Sequence, residues 1–250
     1  MVLSAAKITG DSMTDLQKLA GVYASDLGIR VMAVIAASGV TLAFLNRSVY
    51  TLGLFALGWA LYLIEEYLIH RFIFHAPPPK SQFLFDLLYR LHYGHHDQQR
   101  HRHLLFTPIW FALPMALVTT AALAIVLPLK DALISIFGGA ICAYLFFEWL
   151  HLTSHFRMQK GRLGRYVTRR HAKHHNIDYT LWFTVSPGGQ VVDGAFGSDP
   201  TRYSVLPNVL TCGLDPDDPR LAKSRSRFGI DASLANHAAA PVGMQSQQAT

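Results

Sequence analysis

Residues 65–75 read Glu65-Glu66-Tyr67-Leu68-Ile69-His70-Arg71-Phe72-Ile73-Phe74-His75. They form the polar end of an apolar run that begins near Ser48 and carries no charge as far as Ile64. A helix rises about 1.5 Å per residue, so about 20 residues cross a bilayer core of roughly 30 Å. Working outward, three more segments have the same character: Leu27 to Leu45, Leu104 to Leu129 without a single charge, and Ala132 to His155, which turns polar at Glu148. The chain is therefore expected to be all-α, an integral membrane bundle of about four transmembrane helices.

Composition agrees. Hydrophobic residues make up 51% of the 250 and charged residues only 15%, too little charge to cover a soluble domain. The net charge of +6 does not imply a nucleic-acid partner, because the basic residues gather beside apolar segments. Lys80, Arg90, Arg100 and Arg102 follow the second segment, and Arg157, Lys160, Arg162, Arg165, Arg169, Arg170 and Lys173 follow the fourth. The opposite loops offer only Arg47 and Lys130. Positive residues stay inside, so both histidine-bearing regions and both termini are expected on the cytoplasmic side, of an inner or plasma membrane or of the endoplasmic reticulum. Cys142 and Cys212 show no disulfide pattern, and no cleavable signal peptide is expected.

Three regions follow: a polar segment 1–26, a membrane domain 27–200 and a Pro-punctuated tail 201–250. The tail, rich in Ser, Ala, Gln and Gly from Lys223 onward, is expected to be disordered. Ser186-Pro187-Gly188-Gly189 reads as a turn.

Four histidine clusters fall at or just past the ends of the apolar helices: His70-x4-His75, His92-x2-His95-His96, His151-x3-His155 and His171-x2-His174-His175. Imidazole is a ligand for transition metals. Residues three or four apart share a helix face, so each of the last three clusters is expected to present its nitrogens to one point. His70 and His75 are about 140° apart on a straight helix, but the following Ala76-Pro77-Pro78-Pro79 ends the helix and lets His75 swing round. Ten such ligands exceed what one ion takes, so two ions are expected in a cytosolic cap. His101 and His103 lack the spacing and read as polar loop residues, and His237 as incidental. Glu66, Glu148 and Asp178 stand three or four positions from a clustered histidine, a spacing suited to carboxylates that accept a ligand's second N–H. Tyr67, Phe72, Phe74, Phe146, Phe147, Trp149 and Trp182 are either the lining of a lipid tunnel or an interfacial belt.

The four clusters, with the strings 66–75 and His92-Tyr93-Gly94-His95-His96, resemble the fatty acid hydroxylase superfamily, which includes sterol desaturase-like enzymes. Within it the likeness is greatest to the fatty acid 2-hydroxylases, which act on acyl chains of sphingolipids. It covers about Leu54 to Trp182. The b-type cytochrome domain often fused to those enzymes is not read here. The resemblance implies four membrane helices capped by a cytosolic di-metal site, with all ten clustered histidines as ligands of two iron ions. It implies an oxidoreductase, a lipid monooxygenase using dioxygen as co-substrate. Zinc also suits the ligands and can occupy them in purified material. Partners implied are a lipid drawn from the bilayer and an external electron donor, a b-type cytochrome or a ferredoxin with its reductase. Sterol, carotenoid and ornithine-lipid oxygenases or desaturases of the same superfamily remain open, as does a membrane metal transporter.

Overall fold

The computed structural model describes residues 12–46, 48–126, 132–156 and 160–230. They are all-helical. Helix α1 (Ser12–Ser25) meets α2 (Leu27–Asn46) at a sharp corner, followed by α3 (Val49–Ile69), which runs on into a π-type turn at His70–Phe74. Next come α4 (Gln82–Leu88), a second π turn at Tyr89–Tyr93 and the one-turn α5 (Gly94–Asp97). A short α6 (Arg102–Leu105) leads into α7 (Ile109–Ala124), and α8 (Phe137–Ser154) follows a third π turn at Ala132–Ile136. The chain ends in α9 (Arg162–Asn176), α10 (Gly189–Ala195) and α11 (Pro219–Arg227).

Among the described residues, three helices are long and apolar enough to cross a membrane: Val49–Phe74, Arg102–Ala124 and Ile134–Ser154. The pair Asp15–Ser25 and Leu27–Ala43, bent by 84°, makes a fourth if it counts as one span. The molecule is thus the expected integral membrane bundle of three to four spans. The end of the third run, residues 127–129, together with Lys130 and Arg47, lies outside the described residues.

Close approach of α3 and α8 organises the bundle. A Cβ on Gly58 would stand 2.0 Å from the carbonyl oxygen of Ile136, and one on Gly139 would stand 2.0 Å from that of Phe55. Any larger residue would force the backbones apart. In lipid, where apolar side chains gain little from meeting each other, such small-residue seams let helices reach van der Waals contact.

Two stretches hold more structure than their composition suggests. The polar segment 1–26 contains α1, an amphipathic helix whose Leu19 is buried and whose Tyr23 hydroxyl donates to the carbonyl of Leu145 at 2.6 Å. Its apolar positions 16, 19, 20 and 23 follow a helical period that the intervening charges obscure. The tail is likewise ordered through residue 230. Helix α11 docks on α4 and α5 through Arg225–Asp97 at 2.6 Å and Arg227–Asp86 at 2.5 Å, with Leu221 fully buried beside Phe85 and Tyr89. Asp218 caps α11 by accepting the N–H of Arg220 at 2.8 Å, with Pro219 at the first helical position. Composition suggested disorder there because the apolar anchors Leu214, Leu221 and Ile230 are sparse and their partners lie far off in sequence. Residues 231–250, including His237, lie outside the described residues.

Candidate metal centre

All ten clustered histidines converge beyond the ends of α3 and α8, but not one cluster per point. Two five-histidine groups form, His70, His75, His92, His96 and His174 in the first, and His95, His151, His155, His171 and His175 in the second. Within each group one ligand atom per residue lies within 4.8 Å of every other. The expectation that each cluster serves a single point is therefore corrected for two clusters. Adjacent helical residues are about 100° apart, so His95 and His96 face opposite groups, as do His174 and His175. The i, i+4 pairs His92/His96, His151/His155 and His171/His175 stay together. Helices α5 and α9 thus lie astride the two groups.

His75 reaches the first group through the π turn. Its N–H bonds to the carbonyl of His70, five residues back, at 3.1 Å. The wider turn brings residues five apart towards one face. The proline run that follows is a stop rather than the cause.

The fit to a metal is testable from the nitrogens. Nε2 of His92 stands 3.0 Å from Nε2 of His70, of His75 and of His96. One ring nitrogen has either a single proton or a single lone pair, so these three contacts cannot all be hydrogen bonds. Two donors each about 2.1 Å from one ion and at right angles stand about 3.0 Å apart, so the spacing suits a shared cation. The second group repeats it: His151 to His95 at 2.9 Å, His171 to His155 at 2.8 Å and His155 to His151 at 3.3 Å, all through Nε2.

The tautomers agree where the backbone defines them. Nδ1 of His70 faces the carbonyl of Phe183, and Nδ1 of His174 donates to the carbonyl of Leu181 at 2.7 Å. A carbonyl only accepts, so Nδ1 carries the proton and Nε2 offers its lone pair to the centre. Both carbonyls belong to a strap, residues 181–186. Between them Trp182 adopts φ 54, in the left-handed region that bulky residues avoid. Its N–H donates to the carbonyl of Ser198, its ring N–H donates to Asp199, both at 2.8 Å, and Lys173 lies 4.9 Å over its ring. Asp193, fully buried, accepts from the N–H groups of Phe183 at 3.0 Å and Thr184 at 3.1 Å and pairs with Arg170 at 3.0 Å. Sequence reasoning missed Asp193. It is a lone carboxylate 18 residues after His175, with no spacing to betray it.

The three carboxylates expected beside the ligands sit elsewhere. Glu66 accepts from the N–H groups of Val185 at 2.6 Å and Ser186 at 3.1 Å, so it steadies the strap instead of touching His70. Glu148 accepts from the N–H of Thr107 at 2.9 Å, at the break between α6 and α7. Asp178 closes a turn on Thr180, by its N–H at 2.8 Å and its hydroxyl at 2.6 Å. Backbone carbonyls fill the role assigned to carboxylates for His70 and His174. Ser186–Gly189 is the expected turn, with Gly188 at φ 98. His101 and His103 belong to neither group, although His101 is more buried than a loop residue would be.

A cavity enclosing, with its open mouth, about 810 Å³ abuts the centre. His70, His92, His95, His151 and His171 stand at one side, and Phe74, Phe111, Met115, Ile141 and Phe147 supply apolar wall. Of the aromatics named from sequence, Phe74 and Phe147 line it. Trp149 packs on Tyr23, Tyr67 stacks on Phe196, and Phe72 is exposed.

A family model described as fatty acid hydroxylase matches residues 55–198. The chain belongs to the fatty acid hydroxylase family. The match ends just past the strap and includes all ten histidines of this hydroxylase-family site. Among curated relatives, a fatty acid 2-hydroxylase of Rattus norvegicus is 35% identical over 130 residues, 50% of this chain and 34% of that protein. One of Homo sapiens is 33% identical over 137 residues, 54% of this chain and 36% of the relative. The matched region thus spans about a third of these relatives. A solved structure titled "Full length scs7p (only hydroxylase domain visible)" superposes with a TM-score of 0.62 at 19% identity, covering 77% of this chain and 90% of that one. It shares the fold.

Burial, and secondarily the neighbouring imidazoles, hold His75, His92, His95, His96, His171 and His175 well below the usual histidine range. Burial takes His174 down to about 4 although its bond to Leu181 opposes the shift. These rings stay neutral in the fold, whereas an unfolded histidine protonates near pH 6.5. The unfolded state then binds more protons, so metal-free protein is expected to lose stability as pH falls below about 6.5, and to go on losing it towards pH 4. Melting temperatures of chelator-stripped protein between pH 7.5 and 5 check this. A flat profile would show that the rings are not held neutral.

Proposed function

We propose that the chain is a di-iron lipid hydroxylase that inserts oxygen from dioxygen into a C–H bond of an acyl chain. The observation carrying this proposal is the meeting of two five-histidine groups with an apolar cavity at the end of membrane-capable helices. His70, His75, His92, His96 and His174 would hold one ion, and His95, His151, His155, His171 and His175 the other. Bound there, the iron pair supplies dioxygen activation, which an unactivated C–H bond requires and no side chain provides.

The residues of the chain do the rest. Phe74, Phe111, Met115, Ile141 and Phe147 bind the acyl chain and exclude water from the histidine face of the cavity. The strap carbonyls of Leu181 and Phe183 orient two ligands, and Glu66 and Asp193 hold the strap. Electrons come from an external b-type cytochrome or a ferredoxin with its reductase. Likeness to fatty acid 2-hydroxylases favours a fatty acid or a sphingolipid-linked acyl chain as substrate. The membrane hydroxylase unit spans 27–200.

Lipids of cells expressing the wild type should contain a hydroxylated acyl species that cells expressing a His92→Ala variant lack, measured by mass spectrometry. A difference confined to sterols or carotenoids would move the substrate within the family. No difference in any lipid, with changed cellular metal content, would favour transport. The bias of basic residues to the histidine-bearing loops supports a cytoplasmic centre; on that reading a cysteine placed at position 47 or 130 should be labelled from outside and one at position 90 should not. The opposite pattern would reverse the topology.

A further inference from the structure

The two groups differ in what stands behind their ligands. In the first, Nδ1 of His70 and of His174 meet the strap carbonyls, and Nδ1 of His75 lies 3.1 Å from Sγ of Cys212. In the second, Nδ1 of His95, His151, His171 and His175 is buried without any protein partner among the described residues, whereas in the first this holds for Nδ1 of His96. Metal-bound histidines ordinarily give their second N–H to an acceptor, which fixes the ring and makes the nitrogen at the metal a stronger donor.

Cys212 is set for that task. It is buried, it sits at φ 57 in the left-handed region, and its N–H is tied to the carbonyl of Val209 at 3.1 Å. With Nε2 of His75 turned to the centre, Nδ1 carries the proton and donates to the sulfur, a weak but sufficient acceptor. Tyr179 stacks on the other side of His75, its ring 5.9 Å away and nearly parallel. Its phenol end is pressed by Gly213, where a Cβ would meet the Tyr179 oxygen at 2.2 Å. Residues 212 and 213 lie outside the stretch matched by the family model, so this support is built by the C-terminal segment of this chain.

We infer that the two metal positions are unequal, the group of His70, His75, His92, His96 and His174 binding first and more tightly, with Cys212 as a positioning residue for His75. The inference rests on the di-metal proposal and deepens it. The second position, lacking protein acceptors on four of its five rings, is the exchangeable one.

The test is a titration of metal-stripped, detergent-solubilised full chain with Zn²⁺ against a competing chelator, followed by anomalous diffraction or cryo-electron microscopy at one equivalent. Two steps at least tenfold apart are expected, with density at one equivalent beside His75 and His174. Cys212→Ala should weaken the tight step by about ten- to hundred-fold and leave the weak step nearly unchanged, the range typical for removing an acceptor behind a ligand. Cys212→Ser, which keeps an acceptor, should recover most of the loss. Melting temperature and helical circular dichroism, recorded for each variant, identify a fold defect, which would weaken both steps together. Two ions of equal affinity, first occupancy beside His151 and His171, equal weakening of both steps, or a Ser variant no better than Ala would each overturn the inference. Wild-type protein taking up fewer than two ions would instead remove the di-metal proposal on which it stands.

Discussion

His92→Ala and His155→Ala, one from each group, are each expected to reduce lipid hydroxylation by more than about a hundred-fold, since even residues standing behind a ligand typically cost ten- to hundred-fold. His92 is the sharper case. Its Nε2 is 3.0 Å from three other histidine nitrogens, so its removal opens the middle of the first group. Metal content should fall from about two ions per chain towards one in either variant. His101→Ala and His103→Ala belong to neither group and should leave metal content and most activity intact. Product alcohol by mass spectrometry, with metal content recorded for every variant, decides the matter. If His101 or His103 proved as indispensable as His92, the boundary between ligand and loop histidines would be misplaced.

Asp193→Ala should be the most damaging change outside the histidines. Its carboxylate accepts two strap N–H groups and the hydroxyls of Thr184 and Ser198, and it balances the Arg170 guanidinium. Removing one partner of a buried ion pair costs about 3–5 kcal/mol where the other charge is left uncompensated. Arg170 keeps Asp199 at 2.7 Å, so the lower end is expected, with the buried N–H groups of Phe183 and Thr184 left without their acceptor. The strap would then lose the clasp that sets the carbonyls behind His70 and His174. Loss of stability is therefore expected together with loss of metal from the first group. Asp193→Asn keeps one carbonyl acceptor and should fall between alanine and wild type. Melting temperature and metal content measured side by side test this. A variant that keeps both within error of wild type would show that the strap holds without its clasp.

Much of the architecture was legible because apolar runs and histidine spacing are local properties. The run before Glu65 names a membrane helix, and the i, i+4 pairs such as His151/His155 name shared faces. What escaped reading depends on contacts across the chain. The adjacency of His95 and His96, about 100° apart on a helix, carries the signal of a split, but which group each joins depends on the helix lying astride the centre, which only the fold shows. Glu66 was recognised as important, but its partners are N–H groups at 185 and 186, about 120 residues on. Asp193, Cys212 and the anchors of α11 are single residues whose meaning appears only when the C-terminal segment is seen folded over the site. Sparse Leu214, Leu221 and Ile230 look like tail until Phe85 and Tyr89 are placed beneath them.

Anomalous diffraction at the iron edge from protein purified and loaded without oxygen tests the central claim most directly. The account predicts two iron peaks, one among His70, His75, His92, His96 and His174 and one among His95, His151, His155, His171 and His175. A single peak, or iron bound outside both groups, would contradict it.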